Sequence, residues 1–200
     1  MRKEPRHARS RATVESIVQA GARVLGDRGW AGFNTNEVAD TAGVSIGSLY
    51  QYFPDKEALL EAILQRHLAE VLAVLAVLPE AETGGPPLTR LVDDLVSGMI
   101  TAHNVHPALH RALMDVVAPH SGSSSAQVTF EATYLARYRA IVAACPRSRG
   151  KDGDEIIVQV LCAMIEGVIH GAAKSGVLNS PELKSELVHA VYSYLANGNP

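Results

Sequence analysis

Hydrophobic residues in the first third of the chain recur every three to four positions, the spacing of helices with one buried side. The first such stripe consists of Val14, Ile17, Val18, Gly21, Val24 and Leu25. We expect Trp30 and Phe33 in a short connection after it. Two brief helices are predicted at about 35–41 and 45–53, and a long helix begins at Pro54. Its buried side is expected to consist of Leu59, Leu60, Ile63, Leu68, Val71, Leu72 and Leu75.

The same spacing continues through the rest of the chain, interrupted by segments rich in Pro, Gly and Ser. The breaks are Pro79 to Pro87, Pro107, Ser121 to Ser125, Pro146 to Gly153, and Gly176 to Ser180. Between them we predict helices near 88–104, 107–117, 126–144, 154–175 and 181–196. No convincing two-residue alternation competes with this pattern, so we predict an all-α fold of about nine helices.

Composition adds information mainly through the distribution of charge. Aromatic residues make up 5% of the chain, which favours helices packed on helices over aromatic-rich sheets. The net charge is −3, yet the first 57 residues carry eight Lys or Arg against seven Asp or Glu. The basic side chains that open the sequence are Arg2, Lys3, Arg6, Arg9 and Arg11. This basic arm either follows nucleic-acid phosphates or is only a solubilising tail.

Cysteine usage and hydropathy bear on the compartment. Cys145 and Cys162 have neither metal-ligand spacing nor the density of a disulfide scaffold, which favours a reducing environment. No apolar stretch follows the N-terminal charges, and the longest apolar run, Val71 to Leu78, is too short to cross a bilayer. We therefore expect a cytoplasmic protein with no membrane partner.

Residues 34–53 have the pattern of two short helices joined by a tight turn. Asn34 can cap the first helix, and Glu37 can complete a capping box. Gly43 can supply the left-handed conformation that ends this helix, and Ser45 can cap the second. This pattern predicts a helix-turn-helix, whose second helix enters the major groove of DNA. We accordingly divide the chain into residues 1–53, the basic arm and a three-helix head, and 54–200, a helical-bundle body.

The polar residues of this segment suit contacts with double-stranded DNA. The candidates for contacts from the second helix are Ser45, Ile46, Gly47, Ser48 and Gln51. The candidates for phosphate contacts are Thr35, Tyr50, Tyr52 and Lys56. Ser48 and Gln51 can hydrogen-bond base edges, Ile46 can meet a thymine methyl, and Gly47 lets the helix backbone approach the duplex. The alternative is that these are ordinary surface residues of a helical bundle.

The head resembles the TetR family of transcription regulators over roughly residues 11–65. The matching motifs are Asn34-Thr35 before Val38-Ala39, Ala42-Gly43-Val44-Ser45, Leu49-Tyr50-Gln51-Tyr52-Phe53 and Lys56-Glu57-Ala58-Leu59-Leu60. Asn34 stands where the family usually has Thr, a change that the cap chemistry tolerates. The resemblance implies a homodimeric repressor that binds a palindromic operator. It also implies that the fourth helix couples the head to a ligand-binding body whose small-molecule ligand releases the DNA.

The helix predicted at 154–175 is apolar nearly all round, so both of its sides should be covered. We expect one side to face its own core and the other a second subunit. The candidate interface residues are Ala163, Gly167, Gly171, Leu183, Leu187, Val191 and Tyr194. The alternative is that this is the core helix of a monomer.

A small, largely apolar ligand is expected in the body, which is rich in Ala, Val and Leu. The candidate pocket residues are Met99, His103, His110, Met114, Phe130, Tyr134, Tyr138, Cys162, Glu166 and His170. The aromatic residues among them share a helix face and could equally be plain core. Glu166 and His170 could pair with each other, pair across a dimer or hold the ligand.

The sequence offers little support for an enzyme. Pro107 interrupts the helix among His103, His106 and His110, and no Cys, Asp or Glu joins them at ligand spacing, so we expect no metal. The chain has no Gly-x-Ser-x-Gly elbow, phosphate loop, dinucleotide fingerprint or His-Glu-x-x-His motif. We therefore predict a protein without catalytic activity or cofactor. A purely structural dimerisation protein is the rival hypothesis.

Overall fold

The computed structural model of the chain describes residues 8–76, 87–117, 125–148 and 151–197. Most of the predicted arm, and nearly all of the predicted breaks at Pro79 to Pro87 and Ser121 to Ser125, lie outside these residues, as does the side chain of Leu75. The helices of the described chain are α1 Ala8–Gly32, α2 Thr35–Ala42, α3 Ile46–Tyr52, α4 Lys56–Ala76, α5 Leu88–Val105, α6 Pro107–Val117, α7 Ser125–Ala143, α8 Lys151–Ser175 and α9 Pro181–Ala196. No strand occurs in these ranges, and the predicted all-α fold is confirmed.

Helix α1 extends further than its hydrophobic stripe predicted. Trp30 was expected in a connection, but the helix continues to Gly32 with one interruption at Gly29, where φ is 64° and ψ is 180°. Glycine reaches positive φ with little steric cost, so the backbone kinks there and then returns to helix. Trp30 therefore lies on the last turn of α1, where its ring stacks on Phe33 with centroids 5.6 Å apart.

The described residues form two compact units, of which the first contains 8–69 and 106–117. Helices α1, α2, α3, α6 and the first part of α4 share its core. Its largest fully buried side chains are Ile17, Leu25, Leu49, Phe53, Leu59, Ile63 and Leu113. Helix α1 approaches α4 closely because Gly21 has no side chain: a Cβ there would lie 2.8 Å from Ile63 Cδ1.

The second unit contains 70–76, 87–105, 125–148 and 151–197. Its largest fully buried side chains are Leu95, Tyr138, Leu161, Ile165 and Ile169. Arg147 closes the end of α9, because its Nη1 donates to the carbonyl oxygens of Tyr194, at 3.3 Å, and Asn197, at 2.9 Å. The last carbonyls of a helix lack partners inside the helix, so this contact satisfies groups that would otherwise need water.

The compact units do not follow the predicted division between residues 53 and 54. Leu59 and Ile63 of α4 are buried in the core of the first unit, and so is Leu113 of α6. The head recruits these apolar side chains because α1 and two short helices bury too little surface alone. The division at 53 and 54 stays a prediction about functional domains.

Candidate nucleic-acid interface

The two ends of α2 and the start of α3 are set by three residues that the sequence singled out. Asn34 caps α2, its Oδ1 accepting a hydrogen bond from the Asn36 amide at 2.9 Å. Gly43 adopts the left-handed conformation, with φ 67° and ψ 33°, and ends that helix. Ser45 caps α3, its Oγ accepting from the Ser48 amide at 3.1 Å. The two helices thus form the predicted helix-turn-helix.

Glu37 differs from its prediction. Its carboxylate does not reach back to the Asn34 amide but pairs with the Arg28 guanidinium of α1, at 3.3 Å. Arg28 on a neighbouring helix competes with the Asn34 amide for the Glu37 carboxylate. The four-residue capping pattern contains no information about such a distant partner. Glu37 therefore links α1 to α2, and Asn34 caps α2 without it.

Helix α3 turns one side inward and leaves the other open. Leu49 is fully buried, while Ile46 is 37% exposed. Ser45, Gly47 and Gln51 are exposed, and Ser48 is half-buried with its hydroxyl 2.8 Å from Ser45 Oγ. The side chains that sequence reasoning assigned to base contacts therefore lie together on the open side.

Tyr52 does not lie where the sequence placed it. Only 9% of its surface is exposed, and it belongs to the apolar core of the first unit. Residues three apart on a helix share a face, so Tyr52 follows Leu49 inward. We accordingly correct its assignment from a phosphate contact to a core residue that supports α3.

The other three predicted phosphate contacts line one cleft. Thr35 Oγ1 and the Tyr50 hydroxyl are hydrogen-bonded at 3.0 Å, and the Lys56 ammonium lies 4.2 Å from the centroid of the Trp30 ring. We call the space beside them the α2–α4 cleft, of about 400 Å³. It is lined by Phe33, Asn34, Thr35, Tyr50, Pro54, Asp55, Lys56 and Glu57. Two hydroxyl-bearing residues and a lysine in the lining of one cleft suit an anionic oxygen.

The N-terminus of α4 is partly closed to an anion by a side chain of its own. Asp55 Oδ1 accepts a hydrogen bond from the Ala58 amide at 2.7 Å. One of the free amides at the helix N-terminus is therefore already used, and a carboxylate lies beside it. The side chains of the cleft, more than the amides of α4, make this site suitable for phosphate.

The ten predicted pocket residues are divided between the two units. His110 and Met114 belong to the first unit, where His110 Nδ1 lies 3.0 Å from His67 Nε2. The eight in the second unit are Met99, His103, Phe130, Tyr134, Tyr138, Cys162, Glu166 and His170. Their helical periodicity could not reveal this division, because α6 packs into the core of the first unit.

The polar groups of the second unit form a connected cluster. The Tyr134 hydroxyl lies 2.8 Å from that of Tyr138 and donates to Met99 Sδ at 3.6 Å. The rings of His103 and His170 are 4.9 Å apart. We call Met99, His103, Tyr134, Tyr138, Cys162, Glu166 and His170 the body cluster. His170 thus packs on His103 within the subunit.

Burial keeps most of the body cluster uncharged. It lowers the pKa of His103 below its usual value and raises the pKa of both Tyr134 and Tyr138. Burial, with the nearby Glu166 carboxylate, raises the pKa of Cys162 to about 12. An ionised side chain loses hydration when it is buried, so each of these groups stays neutral near pH 7. These four side chains can therefore offer hydrogen bonds without carrying a charge.

Helix α8 has two apolar sides, as predicted. Ile157, Leu161 and Ile165 are buried in the second unit, whereas Ile156 is 64% and Val160 is 43% exposed. Ala163, Gly167 and Gly171 are also exposed. The segment Gly153–Ser175 is long and apolar enough to cross a membrane by length and composition alone, a test that core helices of soluble proteins also pass.

The predicted interface stripe of α9 faces inward instead. Leu187 is 3% exposed and Val191 is fully buried, while Leu183 and Tyr194 are half-buried. The stripe packs on the core shared by α5, α8 and α9. These helices bury their apolar sides against one another within the subunit, so the stripe is not left for a partner. We therefore correct Leu187 and Val191 to core residues, and the exposed candidates are those of α8.

Comparison with known protein families matches both parts of the chain. Residues 17–63 match the family described as "Bacterial regulatory proteins, tetR family", and residues 87–195 match "Tetracyclin repressor-like, C-terminal domain". A relative in Mycobacterium tuberculosis (strain ATCC 25618 / H37Rv), the "Uncharacterized HTH-type transcriptional regulator Rv2250c", is 25% identical over 182 residues. The match covers 90% of this chain and 92% of the relative.

Solved structures resemble the fold over nearly the whole chain. Escherichia coli NemR in its reduced form superposes with a TM-score of 0.67 at 22% identity, covering 94% of this chain and 100% of NemR. The "multidrug binding protein EbrR complexed with imidazole" superposes with a TM-score of 0.62 at 18% identity, covering 93% and 96%. At these identities the likeness concerns the fold alone.

Proposed function

Because the chain belongs to the TetR family of DNA-binding transcription regulators, which are not enzymes, we propose that it is a cytoplasmic repressor. It binds a palindromic operator as a homodimer, and a small, largely apolar molecule in its body releases it. The observation that carries the proposal is the open side of the capped helix α3, which keeps Ile46, Gly47 and Gln51 outward.

The open side of α3 fits the major groove of DNA. A recognition helix enters the groove with its N-terminal residues first, and Ile46, Gly47 and Ser48 occupy the first turn of α3. Serine and glutamine hydroxyl and amide groups can hydrogen-bond base edges, and an aliphatic side chain can meet a thymine methyl. We therefore assign sequence preference to Ile46, Ser48 and Gln51.

The α2–α4 cleft serves the phosphate backbone. Helix α3 carries no Lys or Arg, so electrostatic attachment must come from its flanks. Lys56 supplies a positive charge at the cleft, and Thr35 and Tyr50 supply hydroxyl groups 3.0 Å apart. Contacts of this kind fix the register of the protein on DNA but carry no base information.

The two groups of contacts predict different variant behaviour. Lys56→Gln and Tyr50→Phe should weaken binding to all duplexes by similar factors, and Lys56→Gln should lower the salt slope by about one for each head. Ser48→Ala and Gln51→Ala should instead change which duplexes are preferred. Titrations of several duplexes at several salt concentrations measure both effects. Arg90→Gln, which removes an exposed charge paired with Asp94 in the second unit, is the control and should change neither. Base-dependent losses in Lys56→Gln would contradict this division.

The homodimer is proposed on the exposed apolar side of α8. An exposed strip that combines Ile156 and Val160 with Ala163, Gly167 and Gly171 would leave apolar surface in water in a monomer. Small residues let two helices approach closely, and a two-fold axis buries the same strip on both subunits. Pairing through α8 would place two helix-turn-helix heads on one duplex.

The released state is proposed to arise through the body cluster and α4. The cluster offers the uncharged imidazole, hydroxyl and thiol groups of His103, Tyr134, Tyr138 and Cys162, which suit an uncharged molecule carrying one or two hydrogen-bonding groups. EbrR, a fold neighbour, is described as a multidrug binding protein. Helix α4 contributes residues 56–69 to the first unit and 70–76 to the second, so it belongs to both. A ligand that shifts it would change the spacing of the two heads.

Ligand and operator should weaken each other equally. We expect a neutral aromatic compound, found by its effect on thermal stability, to bind about 5–150-fold more weakly when the operator is present. Calorimetry with and without operator measures this factor. Tyr134→Phe, which keeps the ring and removes the hydroxyl that donates to Met99, should weaken the compound without changing operator affinity. Equal ligand affinities in the two titrations would contradict release through the body.

A further inference from the structure

The Lys56 side chain is held in place by an aromatic ring. Its Nζ lies 4.2 Å from the centroid of the Trp30 indole, within the range of a cation–π contact. The indole is itself fixed, because it stacks on Phe33 at 5.6 Å with an interplanar angle of 19°, and Phe33 is 5% exposed. The kink at Gly29 precedes Trp30 directly. The stack on buried Phe33 and the bend in α1 therefore set the position of the half-buried Trp30 ring.

The Trp30 ring and two neighbouring carboxylates are alternative partners for the Lys56 ammonium. Asp55 and Glu57 flank Lys56 in the sequence, yet within the described ranges the Lys56 ammonium forms no ion pair. Asp55 Oδ1 is engaged by the Ala58 amide instead. An ion pair would neutralise the lysine charge and direct its N–H donors towards a carboxylate. The indole face leaves the positive charge in place and occupies only part of the N–H donors.

This position suits the approach of an anionic oxygen. Lys56 lines the α2–α4 cleft together with Thr35 and Tyr50. An ammonium has three N–H donors, so contact with the ring on one side leaves others available to the cleft. A free lysine side chain loses rotamer freedom when it is fixed by a partner, and prior ordering reduces that loss on binding.

We propose that Trp30 is a positioning residue for DNA binding, which holds the Lys56 ammonium at the α2–α4 cleft ready for a backbone phosphate. The inference rests on the proposed function, since it assumes that Lys56 contacts phosphate. Trp30 itself touches no DNA in this account and acts through Lys56 alone.

The contact can be tested without DNA. Trp30 is the only tryptophan of the chain, so intrinsic tryptophan fluorescence reports this ring alone. Lys56→Gln should shift the emission maximum of the free protein, because a positive charge leaves the indole face. Arg90→Gln removes a charge from the second unit and should leave the spectrum unchanged. Identical spectra for the wild type and Lys56→Gln would overturn the assignment.

The role of the contact is tested by a double-mutant cycle on operator affinity. Trp30→Leu should weaken binding about two- to fivefold per head, hence about 4–25-fold for a dimer, and should lower the salt slope. Trp30→Phe keeps the stack and a weaker aromatic face, so its loss should be smaller. In the Lys56→Gln background, Trp30→Leu should have no further effect.

The outcomes separate this assignment from the function on which it rests. Losses that multiply in the double variant, or an unchanged salt slope in Trp30→Phe and Trp30→Leu, would mean that Trp30 only supports the fold and would overturn the proposal. The proposed function would then remain intact. A wild-type protein that binds no duplex would overturn both.

Discussion

Replacing Gly47 with alanine is expected to weaken operator binding by at least about 30-fold while leaving the protein folded. Gly47 lies on the exposed side of α3, and a Cβ there would meet only Ser45 Oγ, at 3.9 Å. The described glycines with positive φ are Gly29, Gly43 and Gly176, so the backbone at Gly47 does not require glycine. Alanine is the better helix former by up to about 1 kcal/mol, so thermal stability should rise slightly.

The loss of binding follows from close contact with DNA. An added methyl group in a well-packed contact costs typically about 1–3 kcal/mol, and a dimer would carry two such contacts. Thermal unfolding and operator titration measure the two effects separately. Gly21→Ala is the matched control, because its Cβ would lie 2.8 Å from Ile63 Cδ1 and should lower the unfolding temperature. Undiminished operator affinity in Gly47→Ala would contradict a close approach of α3 to the duplex.

Replacing Gly167 with leucine is expected to separate the subunits without unfolding them. Gly167 is exposed on α8, and a Cβ built there meets no atom of the described residues within 4 Å. The second unit should therefore accept the larger side chain. A two-fold interface would receive it twice, at a cost of about 2–6 kcal/mol, which is enough to disrupt a dimer of micromolar affinity.

Sedimentation at micromolar concentration should find the wild type as a dimer and Gly167→Leu as a monomer. Operator affinity should fall in parallel, since one head binds one half-site alone. Ala136→Leu places the same leucine side chain on the exposed side of α7 and should leave the dimer intact. A monomeric wild type, or a variant that still sediments as a dimer, would rule out pairing through this strip of α8.

The parts of the site that depend only on residues adjacent in the sequence were predictable. Asn34, Gly43 and Ser45 act through their own backbone conformation or through an amide two or three residues away. Such features are decided within one turn of chain, and the amino acid itself carries the preference. The helix-turn-helix could therefore be predicted almost residue by residue.

Periodicity could not decide which helix face meets which partner. It grouped Leu187 and Val191 correctly on one stripe but could not tell the core of the subunit from a second subunit. Tyr52 was misplaced for a different reason: its hydroxyl suggested a phosphate contact, although its spacing from Leu49 places it on the buried face of α3. A hydrophobic stripe predicts that a helix face is buried. Whether it is buried against the core of its own subunit or against a second subunit depends on the tertiary arrangement.

Contacts between distant residues left no signal in the sequence. Glu37 pairs with Arg28 of α1 and does not cap its own helix. Trp30 of α1 contacts Lys56 of α4, although α2 and α3 lie between them in the chain. Leu113 of α6 lies in the core of the first unit although five helices precede α6 in the chain. Each of these contacts depends on how whole helices pack, which no local pattern encodes.

Selection of bound duplexes from a random pool is the most direct test of the central claim that α3 reads a palindromic operator. The wild-type protein should enrich an inverted repeat, whose half-sites lie roughly 34–36 Å apart or a multiple of that distance, the repeat of successive major grooves. Gln51→Ala, selected in parallel, should enrich a repeat altered at the positions that Gln51 reads. A pool that remains random after selection with the wild type would contradict sequence-specific binding through α3.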